Sequence, residues 1–169
     1  SNFGPSLISS FPKKCLPMMA FEADVYHISD KDRITKLPDN ISISDFSKIG
    51  YKVLKFFMYY APNDDSEINN QKQQIIENIG KECVANNISF LMEPLVYDPF
   101  KKPGSLDYAF LKPKLVEQAT KIFSHPKFNI NILKVEVPVD LSFVEGFGDP
   151  IMKQSDAIKC FKEASKAAG

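Results

Sequence analysis

Arginine is almost missing from this sequence. Arg33 is the only one among 21 basic residues, and the rest are lysines. Two-pronged guanidinium clamps on phosphates, carboxylates or bases are therefore nearly unavailable. Net charge is missing too, since 21 Lys and Arg balance 21 Asp and Glu. That balance speaks against general nucleic-acid binding, which rests on neutralising phosphates. No apolar run approaches the roughly 20 residues that cross a bilayer, and no signal-peptide pattern opens the chain. The few cysteines, Cys15, Cys83 and Cys160, are odd in number and far apart. They read as thiols of a reducing compartment and not as a disulfide framework. A cytoplasmic protein without a nucleic-acid or membrane partner is the expectation. The seven glycines never cluster, and neither a G-x-G-x-x-G after a strand nor a P-loop is present, so nucleotide binding through those motifs is not expected. A G-x-S-x-G elbow is lacking as well. His27 and His125 are far apart with no metal-ligand spacing and read as ordinary surface or loop histidines, so no metal and no cofactor are expected.

What the sequence does have is an ordinary globular composition, 44% hydrophobic and 25% charged over 169 residues. That suits a single domain with a substantial core, spanning residues 1–169. Four segments read as buried strands: Leu16–Glu22, Val53–Tyr60, Ile88–Tyr97 and Ile132–Pro138. Three are near-continuous apolar runs, the pattern of parallel strands covered on both faces. Helices fall between them. Asp64 and Glu67 have capping-box spacing ahead of Ile68, Ile75, Ile76, Ile79 and Cys83. Pro113 is expected in the first turn of the next helix, with Leu115, Val116, Ala119, Ile122 and Phe123 on its apolar face and Pro126 as its stop. A last helix follows Ser155, with Ala157, Ile158, Phe161 and Ala164 on one side. A polar loop over 30–40 and a short amphipathic piece near Asp45–Ile49 link the first two strands. Strand and helix in alternation predict a parallel α/β sheet, and the strand centres recur every 35–43 residues or so, somewhat above the ~31 of a 250-residue (β/α)8 barrel.

Charges inside these strands are the informative feature, because buried strands hold them at a cost. Side chains alternate in a strand, so Lys134 and Glu136 share one face while Leu133, Val135 and Val137 share the other. Lys55 shares a face with Phe57 and Tyr59, and Glu93 with Leu91, Leu95 and Tyr97. Glu22 ends the first strand. In a barrel the aliphatic faces meet the helices and the charged faces point inward, towards the end where barrel enzymes assemble their sites. Structural ion pairs are the plain interpretation of any one such charge. Two lysines and three carboxylates across four strands favour chemistry. A lysine beside another lysine, partly buried, has a lowered pKa, and its neutral amine attacks a ketone to give a Schiff base. The protonated imine is an electron sink for cleavage of a C–C bond, with a neighbouring carboxylate moving protons.

At these same residues the chain resembles a known family, the class I tagatose-1,6-bisphosphate aldolases. The matching stretches are VLKFFMYY, SEINNQKQQIIENIGKECVANNISFLMEPLVYD and FNINILKVEVPVDLSFVEGF. The resemblance implies a (β/α)8 TIM barrel of which this chain covers roughly strands 3–6, as a partial barrel. It implies Lys134 as the Schiff-base lysine, Glu93 as the acid/base carboxylate and Lys55 as the partner lysine. Glu22 and Glu136 remain candidate substrate-binding residues from strand position alone. The implied reaction is metal-free cleavage of a ketohexose bisphosphate into dihydroxyacetone phosphate and glyceraldehyde 3-phosphate. The chain departs from the family at Ala61–Pro62 after the tyrosine pair, at Pro94 after Glu93, and over ADVYH, where only Tyr26 is retained. A related sugar or sulfosugar phosphate is the alternative substrate, and a non-catalytic, sugar-phosphate-responsive interaction protein the alternative function. Open edges on a partial barrel also predict self-association.

Overall fold

A computed structural model describes residues 4–23, 28 and 32–169. Tyr26, His27 and the start of the 30–40 loop lie outside the described residues. One helical turn, α1 (Gly4–Leu7), precedes β1 (Met18–Ala20), α2 (Ile43–Ile49), β2 (Val53–Tyr60), α3 (Ser66–Ala85), β3 (Ser89–Val96), α4 (Leu106–Phe123), β4 (Ile132–Leu133) and α5 (Gln154–Ala167). The strands form one parallel sheet in the order β1-β2-β3-β4. This is the expected α/β architecture, a segment of a (β/α) barrel.

Alternation sorts the two faces. Leu54, Phe56, Met58 and Tyr60 of β2, with Phe90 and Met92 of β3, are essentially inaccessible and form the core with Ile76, Ile79 and Cys83 of α3 and Leu115, Val116, Ala119 and Phe123 of α4. The opposite face carries Lys55, Tyr59, Leu91, Glu93 and Leu95, all half-buried. Gly80 marks the closest approach of helix to chain. A Cβ there would lie 1.9 Å from the carbonyl oxygen of Phe128, so only glycine fits.

Several expectations need correction. β1 is shorter than Leu16–Glu22, although the Phe21 N–H continues the ladder to the Lys55 carbonyl at 2.8 Å. The cap of α3 is Asp65, whose carboxylate accepts the N–H groups of Glu67 and Ile68, not Asp64. α4 begins at Leu106, seven residues before Pro113 and directly after the Ser105 cap. The proline therefore lies inside the helix, giving no N–H to the carbonyl one turn back. The early turns are held instead by tertiary contact, because the Tyr108 hydroxyl donates to the Val96 carbonyl at 2.8 Å. On α5, Ala157 and Ala164 are buried as expected, but Ile158 and Phe161 are 50% and 45% exposed.

The largest difference is β4, which leaves the sheet after Leu133 instead of running to Pro138. Pro94 supplies the reason. The carbonyls of Phe90 and Met92 bond to Asn131 N–H and Lys134 N–H on the β4 side. Pro94 is the next residue in that alternating series and has no N–H to offer. The Val96 N–H, next again, goes to the Glu136 carboxylate at 2.6 Å in place of a backbone partner.

Candidate active site

Strand register builds the site. Ala20 pairs with Lys55, Phe57 with Glu93, and Leu91 with Ile132. Two residues further on, Glu22 and Lys134 reach the level of Glu93, so these three stand in one row across the inward face. Lys55 starts one step lower and rises between the two carboxylates. Its Nζ lies 2.6 Å from Glu22 Oε1 and 3.4 Å from Glu93 Oε2. The other Glu93 oxygen, Oε1, lies 2.6 Å from Lys134 Nζ. The sequence Glu22–Lys55–Glu93–Lys134 is thus a continuous alternation of charge along the sheet.

Burial grades along this row. The side chain of Glu22 is 3% exposed, that of Glu93 15% and that of Lys134 61%. Glu22 offsets its burial by accepting both from Lys55 and from the Phe57 N–H at 3.1 Å. Burial works to raise the Glu93 pKa, but the hydrogen bond from Lys134 and the charge of Lys55 outweigh it, leaving it below the ordinary carboxylate value. Glu93 is an acceptor at neutral pH, with one oxygen on each lysine. Lys134, at the open end of the row, has an ammonium that a ligand can reach.

Glu136 does not join them. Because β4 has left the sheet, its carboxylate turns back to the Val96 N–H. Burial pushes its pKa up, partly offset by that N–H and by Lys112, while the charge of Glu93 adds to the rise. The expectation that Lys134 and Glu136 stand side by side in one strand is therefore corrected.

A second cluster escaped the sequence analysis. Lys72 of α3 is fully buried, and its Nζ donates to the Tyr97 hydroxyl at 3.0 Å. That hydroxyl donates in turn to Asp64 Oδ2 at 2.7 Å. Burial pulls the Lys72 pKa down to about 8, opposed by the charges of Asp64 and Asp32. Burial, reinforced by Asp64, holds the Tyr97 phenol above its usual value. Over the Tyr97 ring lies the guanidinium of Arg33, 4.6 Å from its centre and 5.6 Å from that of Tyr59. A signal for Lys72 was present, since it falls between Ile68 and Ile76 on the apolar stripe of α3. Among the described residues, no three His, Cys, Asp or Glu side chains are grouped to hold a metal ion. Nor is any helix there long and apolar enough to cross a membrane. His125 is exposed, with Nδ1 accepting from the Lys127 N–H.

A parallel α/β barrel segment with a lysine–carboxylate row on its inward face defines the broad class, a barrel protein with a polar centre at the strand ends. The family described as DeoC/LacD family aldolase matches residues 7–169, and the chain belongs to it. Over 168 residues it is 38% identical to the tagatose 1,6-diphosphate aldolase of Lactococcus lactis subsp. lactis, covering 98% of this chain and 52% of that protein. It is 39% identical over 158 residues to the protein of the same name from Staphylococcus aureus strain JH9, covering 92% and 48% respectively. The chain spans about half the length of the curated relatives it matches. Among solved structures, a Schiff-base-forming fructose-1,6-bisphosphate aldolase superposes with a TM-score of 0.52 at 15% identity, over 80% of this chain and 42% of that one. That likeness bears on the fold.

Proposed function

We propose that the protein is a class I aldolase that cleaves a ketohexose bisphosphate, tagatose 1,6-bisphosphate, through a Schiff base on Lys134. The observation that carries this reading is the 2.6 Å contact of Lys134 Nζ with a carboxylate that also faces Lys55. Lys134 hands a proton to Glu93, and its free amine adds to the ketone carbon at position two. Glu93 returns that proton to the departing hydroxyl, so loss of water gives the protonated imine and leaves Glu93 a carboxylate again. Glu93 then takes the proton of the hydroxyl on the fourth carbon, the bond between carbons three and four breaks, and its electron pair flows into the imine to give an enamine. Glyceraldehyde 3-phosphate leaves, carbon three is protonated, and hydrolysis releases dihydroxyacetone phosphate and the lysine. Lys55, held by the buried Glu22, fixes the second Glu93 oxygen and so orients the first. Glu22 itself is nearly sealed, which makes it a positioning residue better than a sugar ligand.

The chemistry needs no metal, so chelators are expected to leave turnover unchanged. Free Cys15, Cys83 and Cys160 support a reducing compartment, and we place the protein in the cytoplasm. The test is borohydride reduction of the native protein containing this chain in the presence of dihydroxyacetone phosphate. One covalent adduct by intact mass, with loss of activity, is expected. No adduct favours the non-catalytic interaction protein instead.

A further inference from the structure

We infer that Arg33 is the binding group for the phosphate at the far end of the ketose, the one that departs on the aldehyde product. This rests on the aldolase reading and extends it to a residue that the row of lysines and carboxylates leaves out. Strand order sets the direction. The imine forms at Lys134 beside β4, and Glu93 of β3 acts on the hydroxyl of carbon four. The sugar therefore runs from β4 towards β3, and its last carbons continue towards β2. There the guanidinium of Arg33 lies over Tyr59 of β2 and over Tyr97 just past β3.

Aromatic contacts link the two places. Lys55 Nζ is 4.6 Å from the centre of the Phe57 ring, which meets Tyr59 edge-on at 5.7 Å, and Tyr59 meets Tyr97 at 6.4 Å. The shelf is rigid, because Lys72 and Asp64 hold the Tyr97 hydroxyl from both sides. Within the row itself two carboxylates balance two lysines, so a phosphate dianion gains little there. Lys72 is sealed from solvent, and Asp64 is engaged by Tyr97 and by the Asp65 N–H. Arg33 is half-buried, and none of the ion pairs between described residues includes it. Its backbone is left-handed, φ +49°. A long side chain adopts that conformation at a cost, which the cation–π contacts with the two rings offset. A guanidinium that meets ring faces and no described carboxylate keeps N–H groups to donate, and its planar fork recognises phosphate with paired hydrogen bonds.

The experiment compares tagatose 1,6-bisphosphate with tagatose 1-phosphate, which lacks the far phosphate, in the native protein containing this chain. Arg33→Gln is expected to lower the ratio of the two kcat/KM values about 10–100-fold, chiefly through KM for the bisphosphate, the scale of losing charge-assisted hydrogen bonds. Arg33→Lys keeps a cation without the planar fork and should fall between. An unchanged ratio in both variants overturns the assignment. A wild-type protein that traps no dihydroxyacetone phosphate contradicts the aldolase reading and this inference with it. Trapping with an unchanged ratio contradicts only the role of Arg33.

Discussion

Each Glu93 oxygen faces a different lysine, and that geometry separates two roles that one carboxylate would otherwise confuse. Removing the charge while keeping the shape tests it. Glu93→Gln still presents polar atoms to Lys134 and Lys55, so imine formation should survive in part. Cleavage should slow by about 10²-fold or more, the scale for losing a positioned proton acceptor. Single-turnover trapping beside steady-state turnover reads the two apart, and unchanged turnover shifts proton transfer to another carboxylate. At this scale the sequence was partly legible. Period two alone aligns Lys55, Glu93 and Glu22 on the inward face, and Lys134 keeps that parity because β4 ends only just before it. Glu136 was not legible, since parity holds only while a strand persists and the missing Pro94 N–H ends the pairing. Lys72 was overlooked because a helical lysine usually faces solvent, although its place between Ile68 and Ile76 marked it as buried.

Elements were legible wherever period and caps agreed. β2, β3 and the body of α3 fall where alternation and helical spacing put them, since their apolar faces are long enough to leave one register. Ends were harder. Two neighbouring aspartates compete for the α3 cap, and Asp64 is drawn away by the Tyr97 hydroxyl. Pro113 suits a first turn, yet the contact of Tyr108 with Val96 keeps the chain helical upstream. Gly80 gives an element-scale prediction in which two effects oppose. Alanine favours a helix interior by about 1 kcal/mol over glycine. Its Cβ would meet the Phe128 carbonyl at 1.9 Å, and that oxygen is backbone beside the fully buried Phe128 ring. Overpacking of this kind costs about 1–3 kcal/mol, so the clash should win. Gly80→Ala is expected to lower the thermal midpoint; a raised midpoint would show that α3 shifts freely against the 126–128 turn.

At the scale of the molecule, the sheet formed by the described residues has two outer strands, β1 and β4, each paired there on one side only. On its inward face Met18 and Ile132 are 49% and 48% exposed, while Phe57, flanked by Lys55 and Tyr59, is buried. A closed barrel fills such positions with opposing layers of side chains and leaves no edges. Ile158 and Phe161 of α5 and Phe147 of the preceding loop add exposed apolar surface. The 169-residue chain produced by itself is therefore expected to self-associate and to show no measurable cleavage of tagatose 1,6-bisphosphate. Sedimentation with a coupled assay decides this. A monodisperse monomer turning over at about 1–10³ s⁻¹, the range of ordinary enzymes, would contradict it. The most direct test of the central claim is the location of the imine. Borohydride reduction with dihydroxyacetone phosphate, followed by peptide mapping, should place the adduct on Lys134 and find none in Lys134→Ala. An adduct on Lys55 with Lys134 unmodified would contradict the account.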